Sequence, residues 1–368
     1  MKCFWAFSSF AVGGPQRRFA YIAKQLGPDY HHIVTAMDNL YDAETLIDEN
    51  VSYTRCPLEV TKNSAISRDN VRRFSRALLQ AEPDLLLTSN WGTIEWRIAN
   101  RKLKVPHLHF EDGFGPDESG DTRNRVRNLA RRILFSRVGT GHDHFSFVAP
   151  SQTLGEIFEE EWRVPAQRTR IIPNGVNIRR FAAIGAPGDR IAPVIGTVGA
   201  LRPEKRIDRL LRVFAMVRTR QRATLLVVGD GPLASDLRQL SHDLGVADDV
   251  FFVGAHADVS SYLRRMDVFA LTSDTEQMPL CLVEAMAAGL PVVASNVGDV
   301  RTMLSAENEP FAFYREDEKG MAQSLVRLLS NAEVRAALGA ANAAKAARDY
   351  SLEKMTDKYR ALFASVAA

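Results

Sequence analysis

The stretch 266–304 constrains the fold more than any other part of the sequence. Its residues 268–271, VFAL, form the short apolar run that is typical of a buried strand. A polar segment ending in Pro279 follows, and residues 280–288 then place apolar side chains at helical spacing. Proline suits a helix start, where its missing N–H has no partner, and the glycine after the helix suits a helix end. Because residues 290–294, LPVVA, begin a second apolar run, the pattern predicts a strand–loop–helix–strand unit.

Two carboxylates lie where this unit would bind a ligand. Glu276 falls in the loop and Glu284 about one turn into the helix. In parallel α/β sheets ligands bind beyond the carboxyl ends of the strands, and a helix N-terminus suits a phosphate. Carboxylates beside such a site make sense if they accept hydrogen bonds from sugar hydroxyls, so a nucleotide-sugar would fit both features. The alternative is a pair of solvated glutamates on a helix.

The segment EQMPLCLVEAMAAGLPVVA resembles the E-x7-E signature of glycosyltransferase family 4. The match includes both glutamates, the proline, the Ala-Met-Ala helix and the Gly-x-Pro-Val strand. The resemblance covers most of the chain and is strongest over residues 199–300. It implies the GT-B fold, in which two Rossmann-like parallel-sheet domains face a central cleft. It also implies retaining transfer of a sugar from a UDP- or GDP-linked donor.

The length and the resemblance together predict the domain organisation. A chain of 368 residues is too long for one ordinary core, so two domains are expected. The resemblance assigns an acceptor-side domain to residues 1–183 and a donor-binding domain to residues 190–350. A final helix, residues 351–368, is expected to pack back on the first domain. The Gly-, Pro- and Ala-rich segment 182–193 is typical of a linker.

Composition narrows the class of protein. The 46% hydrophobic and 25% charged residues are ordinary for a globular protein, and no apolar run is long enough for a spanning helix. Three scattered cysteines favour free thiols in a reducing cytoplasm over a disulfide framework. The net charge of +3 is too small to indicate nucleic acid as the partner. The first residues are too short and too aromatic for a signal peptide and predict a first strand.

The first half of the chain supplies two candidate positions at strand ends. A strand is followed by a loop containing Gly13 and Gly14 and then by a helix, which would allow a ligand to approach the backbone. A plain tight turn explains this loop equally well. The resemblance places Gly14 near the donor phosphate and the acceptor.

A second strand in this half ends in the run EDGFGPDE, which is unusually acidic. Family members often have histidine where this chain has Asp112. Asp112 is our preferred reacting-centre residue, because a carboxylate stabilises developing positive charge and can accept a proton. His109 is the other candidate for this role, and an acidic capping turn is the structural alternative. His107 and His109 alternate along the strand and offer too few ligands for a metal site.

Residues 121–137 predict a basic amphipathic helix. The plain interpretation is a solvated helix, and the sharper one is a surface for anionic lipid or a lipid-diphosphate acceptor at the inner membrane face. Its arginines are Arg123, Arg125, Arg127, Arg131, Arg132 and Arg137.

In the second half, the segment GALRPEKR resembles the family's G-R-L-x-x-x-K element. Lys205 matches the lysine that binds the donor diphosphate. The family arginine falls on Ala200 here, and Arg202 is the candidate replacement. The segment GDGP resembles the family's G-x-G-P loop and adds Gly231 to the predicted donor site.

The acidic loop itself departs from the family pattern E-G-F-P at two positions. Gln277 replaces glycine and Met278 replaces phenylalanine, which puts the identity of the donor sugar in doubt. The backbone from Gln277 through Pro279 to Leu280 is still expected to face the donor. No Asp-x-Asp occurs in the chain, so we expect no metal on the donor phosphates.

The sequence therefore predicts a nucleotide-sugar-dependent glycosyltransferase for a saccharide or lipid-linked acceptor in cell-surface glycan synthesis. The resemblance assigns the diphosphate to Lys205, the ribose to Glu284 and the sugar hydroxyls to Glu276. Arg202 and Asp112 stand where the chain departs from the family, and they are our candidates for a second diphosphate ligand and for the reacting centre. Alternatives are an inverting transferase or nucleotide-sugar epimerase of the same fold, and a non-catalytic GT-B protein. A nicotinamide-dependent oxidoreductase is disfavoured because the dinucleotide fingerprint is missing.

Overall fold

The computed structural model describes residues 1–60, 66–112, 145–182 and 192–367, together with Leu129. Within these residues the chain forms two compact units. The first unit comprises Met1–Asn174 and Glu353–Ala368, and the second comprises Gly175–Leu352. The predicted linker at 182–193 and the predicted basic helix at 121–137 fall almost wholly outside the described residues.

The first unit contains a seven-stranded, all-parallel sheet in the order β3-β2-β1-β4-β5-β6-β7. The strand order reverses direction between β1 and β4, which is the point where doubly wound sheets bind ligands. Its strands are β1 (Lys2–Phe7), β2 (His31–Ala36), β3 (Tyr53–Arg55), β4 (Leu85–Ser89), β5 (His107–Phe110), β6 (Phe145–Ala149) and β7 (Thr169–Ile171).

The helices of the first unit follow the strands as the apolar periodicity predicts. Helix α1 begins at the predicted glycine loop, and Ser67 and Ser151 cap the starts of α2 and α4 through their hydroxyl groups. The core beneath them is strongly aromatic. These helices are α1 (Gly14–Leu26), α2 (Arg68–Ala81), α3 (Ile94–Asn100) and α4 (Gln152–Glu160).

The second unit contains a six-stranded parallel sheet in the order β10-β9-β8-β11-β12-β13. Here the order reverses between β8 and β11. Its strands are β8 (Val194–Val198), β9 (Thr224–Val228), β10 (Val250–Phe252), β11 (Val268–Leu271), β12 (Val292–Ser295) and β13 (Ala312–Phe313).

Helix α9 (Leu280–Ala287) is the helix predicted for the central stretch, and it lies between β11 and β12 as expected. It is almost entirely apolar and buried on its inner faces, and Gly289 follows it with φ +73°. The strand–loop–helix–strand prediction is therefore confirmed. The other helices, in chain order, are α5 (Ile178–Ala182), α6 (Ile207–Arg218), α7 (Ala234–Asp243), α8 (Ser260–Leu263), α10 (Val300–Met303), α11 (Glu318–Ser330), α12 (Ala332–Asp349) and α13 (Leu352–Ala367).

Both sheets are parallel with helices as crossovers, so the predicted pair of Rossmann-like domains is confirmed. The last helix, α13, groups almost wholly with the first unit, although the rest of the chain's second half forms the other unit. Among the described residues, no helix is long and apolar enough to span a bilayer. The three cysteines are free thiols.

Candidate functional site

The acidic loop, residues 272–279, connects β11 to α9 at the carboxyl end of the second unit's sheet. Its Glu276 side chain is only 8% exposed. Glu276 Oε1 accepts hydrogen bonds from Lys205 Nζ at 2.6 Å and from Ser273 Oγ at 2.8 Å. The structure therefore brings together two residues that sequence reasoning assigned to the same site from segments 71 positions apart.

Lys205 ends a short 3-10 helix, Pro203–Lys205, in the loop that follows β8. Burial is the largest single influence and acts to lower the pKa of its ammonium group, but attraction to Glu276, the hydrogen bond donated to it and smaller effects of neighbouring groups together raise the net pKa above 10.5. Its side chain keeps 25% exposure. Lys205 is thus a permanent cation at neutral pH that remains accessible to an anionic ligand.

Helix α9 begins beside this ion pair. Pro279 is its N-cap, so the free N–H groups of its first turn begin at Leu280. Glu284 is partly buried one turn further along. Burial and the neighbouring Glu276 raise the pKa of the Cys281 thiol to about 12, so this thiol is neutral near the site. A helix start, a cation and two carboxylates therefore occupy one end of the second unit.

The two side chains that depart from the family pattern are buried, Gln277 at 9% exposure and Met278 at 6%. Asp299 donates its backbone N–H to the Gln277 carbonyl at 3.3 Å. Gly298, which has φ +52°, lies so close that an added Cβ would be 2.0 Å from the Glu276 carbonyl oxygen. The loop after β12 therefore supports the backbone of the acidic loop from behind.

The remaining donor-site candidates lie around the loop after β8. Arg202 is exposed and donates its backbone N–H to the Ala200 carbonyl at 2.9 Å. Position 231 requires glycine because the Leu201 backbone lies close to it, and an added Cβ would be 2.6 Å from the Leu201 carbonyl oxygen. Gly231 thus has a clear packing role. Ligand contacts of Arg202 and Gly231 stay predictions.

In the first unit, Asp112 follows β5 and forms a two-pronged ion pair with Arg18 of α1. The second prong joins Arg18 Nη2 and Asp112 Oδ2 at 3.0 Å, while Nη1 contacts Oδ1. The Arg18 side chain is 7% exposed and that of Asp112 is 13% exposed. Burial acts to lower the pKa of Arg18, but Asp112 raises it well above the ordinary value. Asp112 is therefore a paired carboxylate, and its N–H donates to Asn90 Oδ1 at 3.0 Å.

His109, the alternative candidate, is 1% exposed within the same sheet. Thr88 Oγ1 lies 2.8 Å from both His109 Nδ1 and His107 Nε2, so the two rings share one face of the strand. Burial, with Arg97 as the next cause, lowers the pKa of His107 well below 6.5. These histidines form a buried polar cluster, whereas Asp112 keeps slightly more contact with solvent.

Gly14 is exposed at the start of α1, and a Cβ added there would meet nothing within 4 Å. No crowding of the protein backbone thus explains a glycine at this position. Among residues 1–60, 66–112, 145–182 and 192–367, no group of three or more His, Cys, Asp or Glu side chains could hold a metal ion.

Sequence reasoning missed four residues that organise these positions, namely Arg18, Arg206, Arg209 and Asp274. Arg206 and Arg209 both hold the Asp274 carboxylate, at 2.9 Å and 2.7 Å. A signal existed for two of them. Arg18 precedes Ile22 by four residues and Arg209 precedes Val213 by four, so each arginine falls on the apolar face of its helix, where a charge is rarely found unpaired.

Comparison with known proteins gives two adjoining family matches. Residues 12–180 match the model described as "Glycosyltransferase Family 4". Residues 192–331 match the model described as "Glycosyl transferases group 1". Each match covers most of one structural unit.

Curated relatives are similar over part of their length. D-inositol 3-phosphate glycosyltransferase of Stackebrandtia nassauensis is 28% identical over 318 residues, which are 75% of this chain and 68% of that protein. N-acetyl-alpha-D-glucosaminyl L-malate synthase of Bacillus anthracis is 28% identical over 169 residues, 46% of this chain and 44% of that protein. The match thus spans less than half of the second relative.

Among solved structures, HepE of Anabaena in complex with UDP superimposes with a TM-score of 0.83. The alignment covers 99% of this chain and 100% of that chain at 20% identity. Identity at this level speaks for the fold alone. The fold is the one expected from the E-x7-E segment, so that expectation is confirmed.

Proposed function

Because the chain belongs to the family 4 glycosyltransferases of the GT-B fold, we propose that it transfers a sugar from a nucleoside-diphosphate sugar to a saccharide or lipid-linked acceptor. The proposal includes retention of the anomeric configuration and a role in cell-surface glycan synthesis on the cytoplasmic side of the membrane. The observation that carries it is the Lys205–Glu276 pair beside the start of α9. A cation, free N–H groups and carboxylates together match a diphosphate joined to hydroxylated rings.

The proposed role of each residue follows from its charge. Lys205 and Arg202 bind the diphosphate and stabilise the negative charge that develops on it as the glycosidic bond breaks. The free N–H groups at Leu280 add partial positive charge on the same side. Since protein cations supply this stabilisation, the reaction proceeds without a divalent metal ion.

The carboxylates recognise the hydroxylated rings. Glu276 accepts hydrogen bonds from the transferred sugar, and Glu284 accepts hydrogen bonds from the ribose. In the structure Lys205 Nζ donates to Glu276 Oε1 at 2.6 Å. Donor binding therefore exchanges this contact for one from ammonium to phosphate and one from sugar hydroxyl to carboxylate, so that neither charge is left unpaired.

Asp112 acts at the reacting centre. Its carboxylate stabilises the positive charge that develops on the sugar ring during bond breaking. The ion pair with Arg18 fixes its orientation in advance. Preorganised charge of this kind lowers the barrier because nothing has to reorient during the reaction.

The named relatives and the basic segment 121–137 bear on the acceptor and on the membrane. The two relatives are named for L-malate and for inositol 3-phosphate, so members of this group differ in acceptor. The arginines Arg123 to Arg137, which lie outside the described residues, would attract an anionic lipid surface or a lipid diphosphate. HepE was crystallised with UDP, which makes UDP-linked sugars the first donors to test.

The test combines binding and turnover. UDP- and GDP-sugars are screened for an increase in Tm, because a ligand that binds the native state raises apparent stability. The best donor is then assayed for transfer with K205A, E276A and the control K319A, which changes an exposed lysine on α11. We expect kcat/KM to fall by about 100-fold or more in the first two variants and to be unchanged in K319A.

Two further readouts belong to the same assay. NMR of the product reports whether the anomeric configuration is retained, which separates this proposal from an inverting transferase. Addition of EDTA should leave the rate unchanged. Full activity in both K205A and E276A would refute the proposed site, and failure of every nucleotide-sugar to bind or react would refute the function.

A further inference from the structure

A cluster of charges behind the candidate donor site holds the acidic loop at Asp274. Arg206 Nη1 contacts Asp274 Oδ2 at 2.9 Å, and Arg209 Nη2 contacts Asp274 Oδ1 at 2.7 Å. Arg209 also donates from Nη1 to the Thr272 carbonyl at 2.7 Å. We call Arg206, Arg209 and Asp274 the arginine clamp. Its two arginines come from the segment after Lys205, and its aspartate lies two residues before Glu276.

Backbone contacts tie the same two segments together. The Asp274 N–H donates to the Glu204 carbonyl at 2.8 Å. The Thr272 hydroxyl donates to the Arg206 carbonyl at 3.0 Å. The acidic loop is therefore joined to the loop carrying Lys205 at three successive levels, and the third level is the Lys205–Glu276 pair of the proposed donor site.

The clamp carries a cost in free energy, which argues that it has a functional role. Arg209 buries its guanidinium to 6% side-chain exposure, and a buried charge destabilises the fold unless it is fully paired. Arg206 has φ +49°, a left-handed conformation that disfavours residues other than glycine. Backbone strain of this kind is typical of sites whose geometry must be held.

The charges around the clamp are balanced. Asp208 accepts from Arg206 Nε at 3.0 Å and from Arg212 Nη1 at 3.0 Å, and Arg212 also pairs with Glu318 at 2.7 Å. Burial acts to raise the pKa of Asp274, but hydrogen bonds from both clamp arginines bring it below 3.8. The clamp therefore stays ionised through the neutral pH range and keeps its geometry there.

We propose that the arginine clamp positions Glu276 for the donor sugar, so that Arg206, Arg209 and Asp274 act as positioning residues without touching the substrate. The inference rests on the proposed function of the site. Asp274 lies two residues from Glu276, and both arginines form ion pairs with Asp274 from outside the loop. Loss of the clamp lets the acidic loop move, and a displacement of about 1 Å is enough to reduce turnover by about 100-fold.

The test is one double-mutant comparison, of D274A with and without E276A, in transfer from a nucleotide-sugar. D274A should lower kcat/KM for the donor by about tenfold or more, with the KM of the acceptor unchanged. In the E276A background the same substitution should change kcat/KM by less than about threefold, because Asp274 acts through Glu276. A residue that merely stabilises the fold would give independent losses that multiply. The control is D248A, which changes an exposed aspartate of the same unit.

A second variant tests the inference independently, in case D274A fails to fold. R209K keeps the charge but loses the planar fork that reaches Thr272 and Asp274 together. It should give the same kind of loss in kcat/KM at an unchanged KM for the acceptor. Wild-type donor kinetics in both D274A and R209K, or multiplicative losses with E276A, would overturn the inference. A wild-type protein that uses no nucleotide-sugar would instead overturn the proposed function.

Discussion

Gly298→Ala should damage the site without removing any chemical group from it. Gly298 has φ +52°, and an added Cβ would lie 2.0 Å from the Glu276 carbonyl oxygen and 3.2 Å from the Gln277 Cα. Real Cβ atoms essentially never come closer than 3.0 Å to another heavy atom, so the two loops must separate by at least 1.0 Å, which is 3.0 minus 2.0 Å. The group that must move is the backbone carbonyl of Glu276, the residue predicted to bind the sugar.

Two costs set the magnitude. A left-handed conformation costs an alanine about 1–2 kcal/mol, and overpacking against the backbone adds about 1–3 kcal/mol. At about 2–4 °C per kcal/mol for a unit of this size, Tm should fall by roughly 4–20 °C. The variant should remain folded at 25 °C, with kcat/KM for the donor reduced by about 100-fold because a displacement near 1 Å spoils alignment.

The assay measures Tm and donor kinetics side by side, with G245A as the matched control. Gly245 lies in the same unit and has φ +68°, yet an added Cβ there meets nothing within 4 Å. G245A should therefore lose about 1–2 kcal/mol of stability to its backbone conformation and keep kcat/KM close to the wild-type value. If G298A transfers sugar at the wild-type rate while folded, the acidic loop either absorbs the displacement or does not contact the donor. An equal loss of kcat/KM in G245A would show that the effect comes from lost stability and not from displacement of the acidic loop.

Two other predictions address the nucleotide and pH. E284A should weaken binding of UDP alone by about 10–100-fold because a charged hydrogen bond to the ribose is lost, whereas E276A should weaken only the UDP-sugar, and calorimetry distinguishes them. Burial lowers the pKa of His32 from 6.5 to about 4, so the unfolded chain binds a proton that the native protein excludes between these pH values. The free energy of unfolding should therefore fall by about 3 kcal/mol from this residue as pH drops from 7 to 4. In urea denaturation H32N, whose amide oxygen can still accept from Trp5 Nε1, should lose that part of the pH slope; an unchanged slope would contradict the assignment.

The fold could be predicted because its signals are local. A single window of sequence shows the apolar runs, four to six residues long, that form strands. It also shows the glycine or proline beside each run and the helical spacing between runs. The unit 266–304 shows this, since β11, α9 and β12 begin and end within a few residues of the expected positions. The parallel order follows because each strand is separated from the next by a helix-sized segment.

The partners inside the site could not be predicted, because they are set by packing between distant segments. Arg18 meets Asp112 across 94 residues, and Arg209 meets Asp274 across 65. Sequence spacing carries no information on such pairs. It shows only that Arg18 and Arg209 each fall on the apolar face of a helix. The resemblance assigns Lys205 to the same site as Glu276, whereas the physical argument from the sequence places only Glu276, Glu284 and the helix start together.

The pairing of Asp112 also bears on which chemistry it can perform. If Asp112 took a proton from the acceptor, Arg18 would keep its charge at 7% side-chain exposure while its partner became neutral. Leaving a buried guanidinium without its counter-charge costs several kcal/mol, which would be added to the barrier of the reaction. A carboxylate that stays ionised incurs no such cost and still stabilises positive charge on the sugar. Of the two roles open to Asp112 from its residue type, we infer that this ion pair favours electrostatic stabilisation, and that another group takes the acceptor proton.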